Sequence, residues 1–343
     1  MVTISVVMPV YNTPVPFLKE AVDSILNQTF GDFEFIIIDD GSPSDTKRYL
    51  DSLTDPRIRL IHNETNLGIT RSLNIGFRAA QGKYIARMDG DDVSLPERFE
   101  KQAAFMESNP NVIACGASAV KYGQSLPSVS MDAATMRFES MDNYKVRLLF
   151  VNPGPIHPTA FFRRAILLQN QVLYDEQLVY SQDYGMWMSL CNYGQICSLP
   201  DVLLIRRKHD NQITKIHREK QIDCDKITQR RVISSLIDNV TEEDLDLHYY
   251  HSTGYYPNAM ISPQIVKWYN RLLRANKKKK VFSQKLLKKR IERIKRRLVY
   301  QTIGTDASGI KKAYYYLRYM SLETILRSIR DGIKSGLNRF RRY

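Results

Sequence analysis

Cysteine is scarce in this chain of 343 residues: there are four, Cys115, Cys191, Cys197 and Cys224. None stands in a C-x-x-C pair or beside a histidine at zinc-ligand spacing, which argues against a zinc module and a disulfide scaffold. They are expected to be buried free thiols of a reducing compartment. Long apolar runs are also absent. No stretch approaches the roughly 20 residues that a membrane-spanning helix needs. The opening residues, Met1-Val2-Thr3-Ile4-Ser5-Val6-Val7-Met8-Pro9, have no basic n-region and read as a strand, not as a secretory signal. No G-x-G-x-x-G follows that strand, so a dinucleotide-binding fold is disfavoured. The expectation is a cytoplasmic protein whose membrane contact is peripheral.

Acidic residues are nearly missing from one end. Residues 271–343 hold 4 Asp/Glu against 23 Lys/Arg, whereas residues 1–270 hold 32 against 27. A slightly acidic body therefore carries a strongly basic tail, within a net charge of +14. Residues 271–300 have 14 Lys/Arg and one acid, Glu292, and Lys277–Lys280 is an unbroken basic run. Leu286, Leu287, Ile291, Ile294 and Leu298 fall on one helical stripe. Leu322, Ile325, Leu326, Ile329, Ile333, Leu337 and Phe340 fall on a second. Basic amphipathic helices suit an anionic membrane surface. The stripes would serve equally for packing on the catalytic body or on a second subunit, which leaves a homodimer open. Nucleic-acid binding ranks last, because the aromatic–basic interleaving of a known module is missing.

What is present is an alternation of two periodicities. Thr3–Met8, Glu34–Ile38, Ile58–Ile61, Lys83–Met88 and Asn111–Val120 are short apolar runs that predict strands. Between them Pro14–Asn27, Ser44–Leu53, Thr70–Ala80 and Pro96–Ser108 carry helical spacing, the last with Pro in its first turn. Such alternation predicts an α/β fold with a mostly parallel sheet flanked by helices. Gly123–Met141 reads as a polar loop over the site. Residues 156–214 predict short strands and a helix at Gln182–Tyr193, and 215–270 mostly helix.

In open sheets of this kind ligands bind beyond the carboxyl ends of the strands. Three polar clusters fall there: Pro9-Val10-Tyr11-Asn12, Asp39-Asp40-Gly41-Ser42 and Asp89-Gly90-Asp91-Asp92. The last has three carboxylates within four residues. Like charges that close repel unless something positive sits among them, and a hard divalent cation such as Mg²⁺ or Mn²⁺ takes oxygen ligands. A solvated acidic turn is the alternative reading of the same spacing.

The first 110 residues resemble a family 2 glycosyltransferase with the GT-A fold. The resemblance rests on Ser5–Asn12, Ser24-Ile25-Leu26-Asn27-Gln28-Thr29-Phe30, Ile37–Ser42, Asn66-Leu67-Gly68 with Arg71-Ser72-Leu73-Asn74, and Arg87–Asp92, in family order and spacing. A weaker match runs to about residue 214. It implies a catalytic domain over 1–215, with a nucleotide-sugar half (1–120) and an acceptor half (121–215). A helical extension (216–270) and the basic tail (271–343) follow.

The resemblance further implies a nucleoside-diphosphate-sugar donor, UDP favoured. Pro9, Val10 and Tyr11 would lie along the nucleoside. Asp39 and Asp40 would bond base or ribose, Arg71 would reach the nucleotide, and Asp89 would contact ribose or sugar. Asp91 would be the metal ligand, joined by His209. Asp92 and His157 would face sugar or acceptor. Asp183 would be the catalytic base, with Gln182 where the family usually has Glu. A Gln-x-x-Arg-Trp motif is missing, which implies one sugar per encounter. The implied job is inverting transfer to a glycan, such as a polyprenyl-diphosphate-linked oligosaccharide of a surface polysaccharide, at the inner face of the membrane. Two other readings compete. A sugar-nucleotide pyrophosphorylase would need a Gly-rich loop after the first strand, and an inactive adaptor would be expected to have lost one of Asp89, Asp91 or Asp183.

Overall fold

The run Ile4-Ser5-Val6-Val7-Met8-Pro9-Val10 is extended and almost wholly buried, as its β-branched composition requires of a central strand covered on both faces. The computed structural model describes residues 2–123, 126–132, 139–208, 217–254, 256, 259–303, 314–315 and 317–320. The chain forms two compact units, one of Met1–Met141 with Asn152–Thr228 and one of Asp142–Val151 with Gln229–Tyr343.

The first unit is built on a sheet that has nine strands among the described residues. They are β1 (Ile4–Val10), β2 (Phe33–Asp39), β3 (Ile58–His62), β4 (Tyr84–Arg87), β5 (Val93–Ser94), β6 (Val112–Gly123), β7 (Leu126–Asp132), β8 (Phe161–Arg163) and β9 (Gln195–Lys208). Their order is β3-β2-β1-β4-β8-β6-β9-β5, with β7 on β6. The four strands β3-β2-β1-β4 are parallel. Beyond them β8 is antiparallel to both neighbours, while β6 and β9 run parallel. The order reverses at β1, which has β2 on one side and β4 on the other. A crevice therefore opens at the carboxyl ends of these three strands, the position such sheets use for ligands.

Helices α1 (Val15–Leu26), α2 (Ser44–Asp51), α3 (Ile69–Ala79) and α4 (Arg98–Ser108) match the predicted spacing. Gly76 lets α3 lie directly on β1, since a Cβ there would stand 2.3 Å from Val7 Cγ1. Three expectations are corrected. Pro96 lies before α4, where its carbonyl accepts from Thr29 N–H, and Glu97 is the cap residue. Within the expected loop 123–141, Leu126–Asp132 is a strand paired antiparallel to β6. The two-residue β5 was not expected, and within 156–214, where short strands were expected, Gln195–Lys208 is one strand of 14 residues. The remaining helices are α5 (Met141–Leu148), α6 (Arg164–Gln169), α7 (Gln182–Leu190), α8 (Arg218–Ser234), α9 (Glu242–Ser252), α10 (Pro263–Lys279) and α11 (Gln284–Ile303).

In the second unit, Val146, Leu149 and Phe150 enter a helical core with Ile265, Trp268, Tyr269 and Leu272. The apolar stripe of α11 is part of the same core: Leu287, Ile291, Ile294 and Leu298 are at most 3% exposed. That stripe packs on protein and is not available to lipid. The second stripe, Leu322–Phe340, lies outside the described residues. All four cysteines are buried free thiols. Among the described residues no helix is long and apolar enough to cross a membrane.

Candidate active site

The end of β1 leaves Val10 buried and Tyr11 half in solvent. Asp40 N–H donates to Val10 O at 2.8 Å, and Asn12 N–H donates to Ser42 Oγ at 3.2 Å, so the first two polar clusters are stitched together. Gly41 turns between them at φ +72, a conformation open to glycine at little cost. Asp40 accepts from Leu67 N–H at 2.9 Å, Gly68 N–H at 2.8 Å and Asn63 Nδ2 at 2.8 Å. Asp39 accepts from Ser42 N–H at 3.0 Å and pairs with His62 Nδ1 at 2.8 Å. Burial opposes the Asp39 charge, but the bonds from Ser42 and His62 outweigh it and hold the carboxyl below its ordinary value. In this structure both carboxylates face protein donors and shape the rim of the crevice.

The acidic cluster follows β4. One carboxylate oxygen from each of Asp89, Asp91 and Asp92 lies within 4.8 Å of the others. Buried Arg87 grips Asp89 with both terminal nitrogens, at 2.7 Å for the longer contact. Asp92 is 4% exposed and accepts from Arg207 N–H at 2.9 Å. Arg207 Nε donates to Asp91 O at 3.1 Å, and its guanidinium lies over the Phe17 ring. Burial, then mutual repulsion, pushes the carboxyls of Asp92 and Asp89 above their usual values, and Arg87 opposes this at Asp89. The donor set is all hard oxygen, which fits a divalent cation such as Mg²⁺ or Mn²⁺. Asp91 and Asp92 would hold it, since Arg87 already occupies Asp89.

Asp183 opens α7. Its Oδ1 accepts from Tyr184 N–H at 2.9 Å and its Oδ2 from Asn152 Nδ2 at 2.8 Å. Asn152 is itself fixed by Gly154 N–H, which donates to its Oδ1 at 3.1 Å. Burial pushes the Asp183 carboxyl above its ordinary value; the Asn152 and Tyr184 bonds and the Arg87 charge draw it back. Arg87 thus acts electrostatically on both carboxylate groups, the cluster after β4 and the start of α7. His157 is buried, 2.7 Å from the Tyr174 hydroxyl and edge-on to Trp187. Burial, with the charges of Arg87 and Arg206, keeps its imidazole neutral.

Arg71 donates from Nε to Glu176 at 2.9 Å. His209 lies outside the described residues. Sequence reasoning did not single out Arg87's grip on Asp89, Asn152, Tyr174 or Glu176. Asn152 stands five residues before His157, between the loop expected over 123–141 and the elements expected from 156 onward.

The profile of glycosyl transferase family 2 matches residues 5–169. An uncharacterised glycosyltransferase of Haemophilus influenzae is 30% identical over 249 residues, 69% of this chain and 75% of that protein. The amylovoran biosynthesis glycosyltransferase AmsE of Erwinia amylovora is 28% identical over 225 residues, 62% of this chain and 78% of that one. Among solved structures, Staphylococcus aureus TarS 1-349 in complex with UDP-GlcNAc superposes with TM-score 0.58 at 17% identity, over 92% of this chain and 89% of that one. The mannosyltransferase PcManGT of Pyrobaculum calidifontis, with GDP-Man and Mn²⁺, gives 0.52 at 16% identity, over 81% of this chain and 75% of that one. The fold is that of the GT-A glycosyltransferases. The chain belongs to glycosyl transferase family 2 and is a glycosyltransferase.

Proposed function

We propose that this enzyme transfers one sugar, with inversion, from a UDP-sugar to a glycan acceptor, with Asp183 as general base and a divalent cation at Asp91 and Asp92. The observation that carries the reading is a pair of carboxylate centres, the Asp89-Asp91-Asp92 cluster after β4 and Asp183 held by Asn152 at the start of α7. One is crowded and acidic and suits a cation. The other is a single carboxylate, half-buried, raised and held by Asn152, as a base needs.

Asp183 takes the proton of an acceptor hydroxyl as its oxygen attacks the anomeric carbon. The bond to the diphosphate breaks on the opposite face, and the configuration inverts. A cation held at the cluster supplies positive charge against the diphosphate leaving group. Arg87 keeps Asp89 fixed, and Tyr11, exposed at the end of β1, is available to stack on the base. Most of the acceleration comes from orientation and electrostatics, with roughly 10²–10⁴ from the base. The TarS complex with UDP-GlcNAc supports a UDP-sugar, and the PcManGT complex supports Mn²⁺. AmsE supports a role in polysaccharide biosynthesis, for which we infer a polyprenyl-diphosphate-linked acceptor at the inner face of the membrane.

The test is nucleotide release from UDP-, GDP- and dTDP-sugars, with Mn²⁺ and with chelator. Slow hydrolysis of one donor that needs metal and is lost in Asp91→Ala supports the reading. No turnover and no binding of any nucleotide sugar would sink it in favour of an inactive adaptor.

A further inference from the structure

Helices α10 and α11 form an antiparallel-type helix–turn–helix whose turn is held rigidly. Lys280 closes α10 in the left-handed conformation, φ +56, with its N–H donating to Asn276 O at 2.7 Å. Asn276 is 1% exposed and clamps the turn from inside. Its Oδ1 accepts from Phe282 N–H at 2.8 Å, and its Nδ2 donates to Phe282 O at 2.9 Å and Gln284 Oε1 at 2.6 Å. This clamp places Lys277, Lys278, Lys279 and Lys280 at the turn, all exposed, next to the exposed Val281; Lys279 is paired with Asp238 at 2.7 Å. Around the tip stand Arg274, Lys285, Lys288, Lys289 and Arg293, also exposed. Glu292, the one acid in residues 271–303, is bound to the buried Lys295 at 2.9 Å, and Asp238 and Asp244 pair with Lys279 and Arg271, so the exposed lysines and arginines of the two helices still outnumber the acids against them. Arg274 and Lys278, one turn apart, line an open groove of about 500 Å³ with Arg271, Asp238 and Asn239.

The apolar side of both helices is consumed by the core of the second unit, so this surface offers charge and almost no grease. A nucleic acid would want a groove with aromatic platforms for stacked bases. Here the tip carries lysines and a lone exposed valine, with no exposed aromatic side chain among the described residues 271–293. A flat, anionic bilayer needs only charge density, about 1 kcal/mol for each Lys or Arg near the surface. We infer that the α10–α11 tip is the docking surface for a bilayer rich in anionic phospholipid, held by electrostatics without insertion. The choice of a lipid surface rests on the proposed lipid-linked acceptor; the charge, the clamp and the buried stripe do not.

The experiment is co-sedimentation of the full-length protein with vesicles of phosphatidylcholine alone and with about 30% phosphatidylglycerol. Binding is expected only to the anionic vesicles, and it should vanish between about 0.1 M and about 1 M salt, as the screening length falls from about 10 Å to about 3 Å. The variant with Lys277, Lys278, Lys279 and Lys280 all changed to Gln should bind up to about 10³-fold more weakly. A second variant, Lys285, Lys288 and Lys289 to Gln, should lose less but act in the same direction. Equal binding to neutral vesicles, binding that survives high salt, unchanged binding of both variants, or retention on RNA without retention on vesicles would each overturn the inference. Donor hydrolysis is measured on the same samples. It should be unchanged in both variants, so a failure of docking is distinguishable from a failure of the proposed reaction.

Discussion

Asn152 and Asp183 lie 31 residues apart and meet at 2.8 Å, with the amide turned the right way by Gly154 N–H. A hydrogen bond to a charged group is worth about 1.5–3 kcal/mol. It favours the carboxylate over the acid, opposing the burial that raises the Asp183 carboxyl. Asn152→Ala should therefore push Asp183 further upward. The acid limb of a kcat/KM profile would move to higher pH, with roughly a 10-fold loss on that limb and recovery as pH rises. A uniform loss at every pH would mean that Asn152 is merely structural. Asp183→Asn should remove transfer, by about 10²–10⁴, while calorimetry shows donor affinity within a few-fold of the parent. Asp89, Asp91 and Asp183 were legible because short motifs placed them at strand and helix ends. Asn152, Glu176 and the orientation of Arg87 were not, because each acts through a contact that no local period encodes.

At the scale of elements, the strands and helices of the first 110 residues apart from β5 could be read from apolar period alone, since β1, β2 and β4 are buried on both faces. The strands β5 and β7 could not, because the first is two residues long and pairs far along the chain and the second lies in a largely polar stretch, and the full length of β9 was not legible where only short strands were expected. Packing sets limits that spacing does not express. Gly76→Ala would drive a Cβ to within 2.3 Å of Val7 Cγ1 and force α3 off β1. The expected cost is about 1–3 kcal/mol in denaturant unfolding. Adding Val7→Ala should recover part of it; simple additivity would mean the two do not share that space. A second element-scale consequence concerns α9. His248 is buried, accepts from Trp268 Nε1 at 3.0 Å on Nδ1 and so donates from Nε2 to Leu149 O at 2.7 Å. Burial pushes its pKa down to about 4. The unfolded chain, titrating near 6.5, then binds the extra proton first, so stability is full above about 6.5 and falls as pH drops toward about 4. Guanidinium melts of the wild type should show this loss, and His248→Gln should flatten it.

Over the whole molecule, the division into two units is not collinear with the sequence. Asp142–Val151 belongs with residues from 229 onward, although nothing in its composition marks it. The sharp change in charge at 271 was visible at once, yet it falls inside the second unit, between the buried Tyr269 and Leu272. Charge records what faces water, whereas unit membership follows the buried side chains. Val146, Leu149 and Phe150 are all fully buried in the core that α10 and α11 complete. Ending the chain at Thr228 would strip these three of cover, each worth about 1.5–3 kcal/mol, and would leave an apolar patch on what remains. Residues 1–228 alone should therefore be recovered mainly as aggregate by size-exclusion chromatography. Replacing Val146, Leu149 and Phe150 with Ser in that fragment should shift it toward monomer. A monodisperse, unmodified 1–228 fragment would show that the first unit does not need the second to hide this segment.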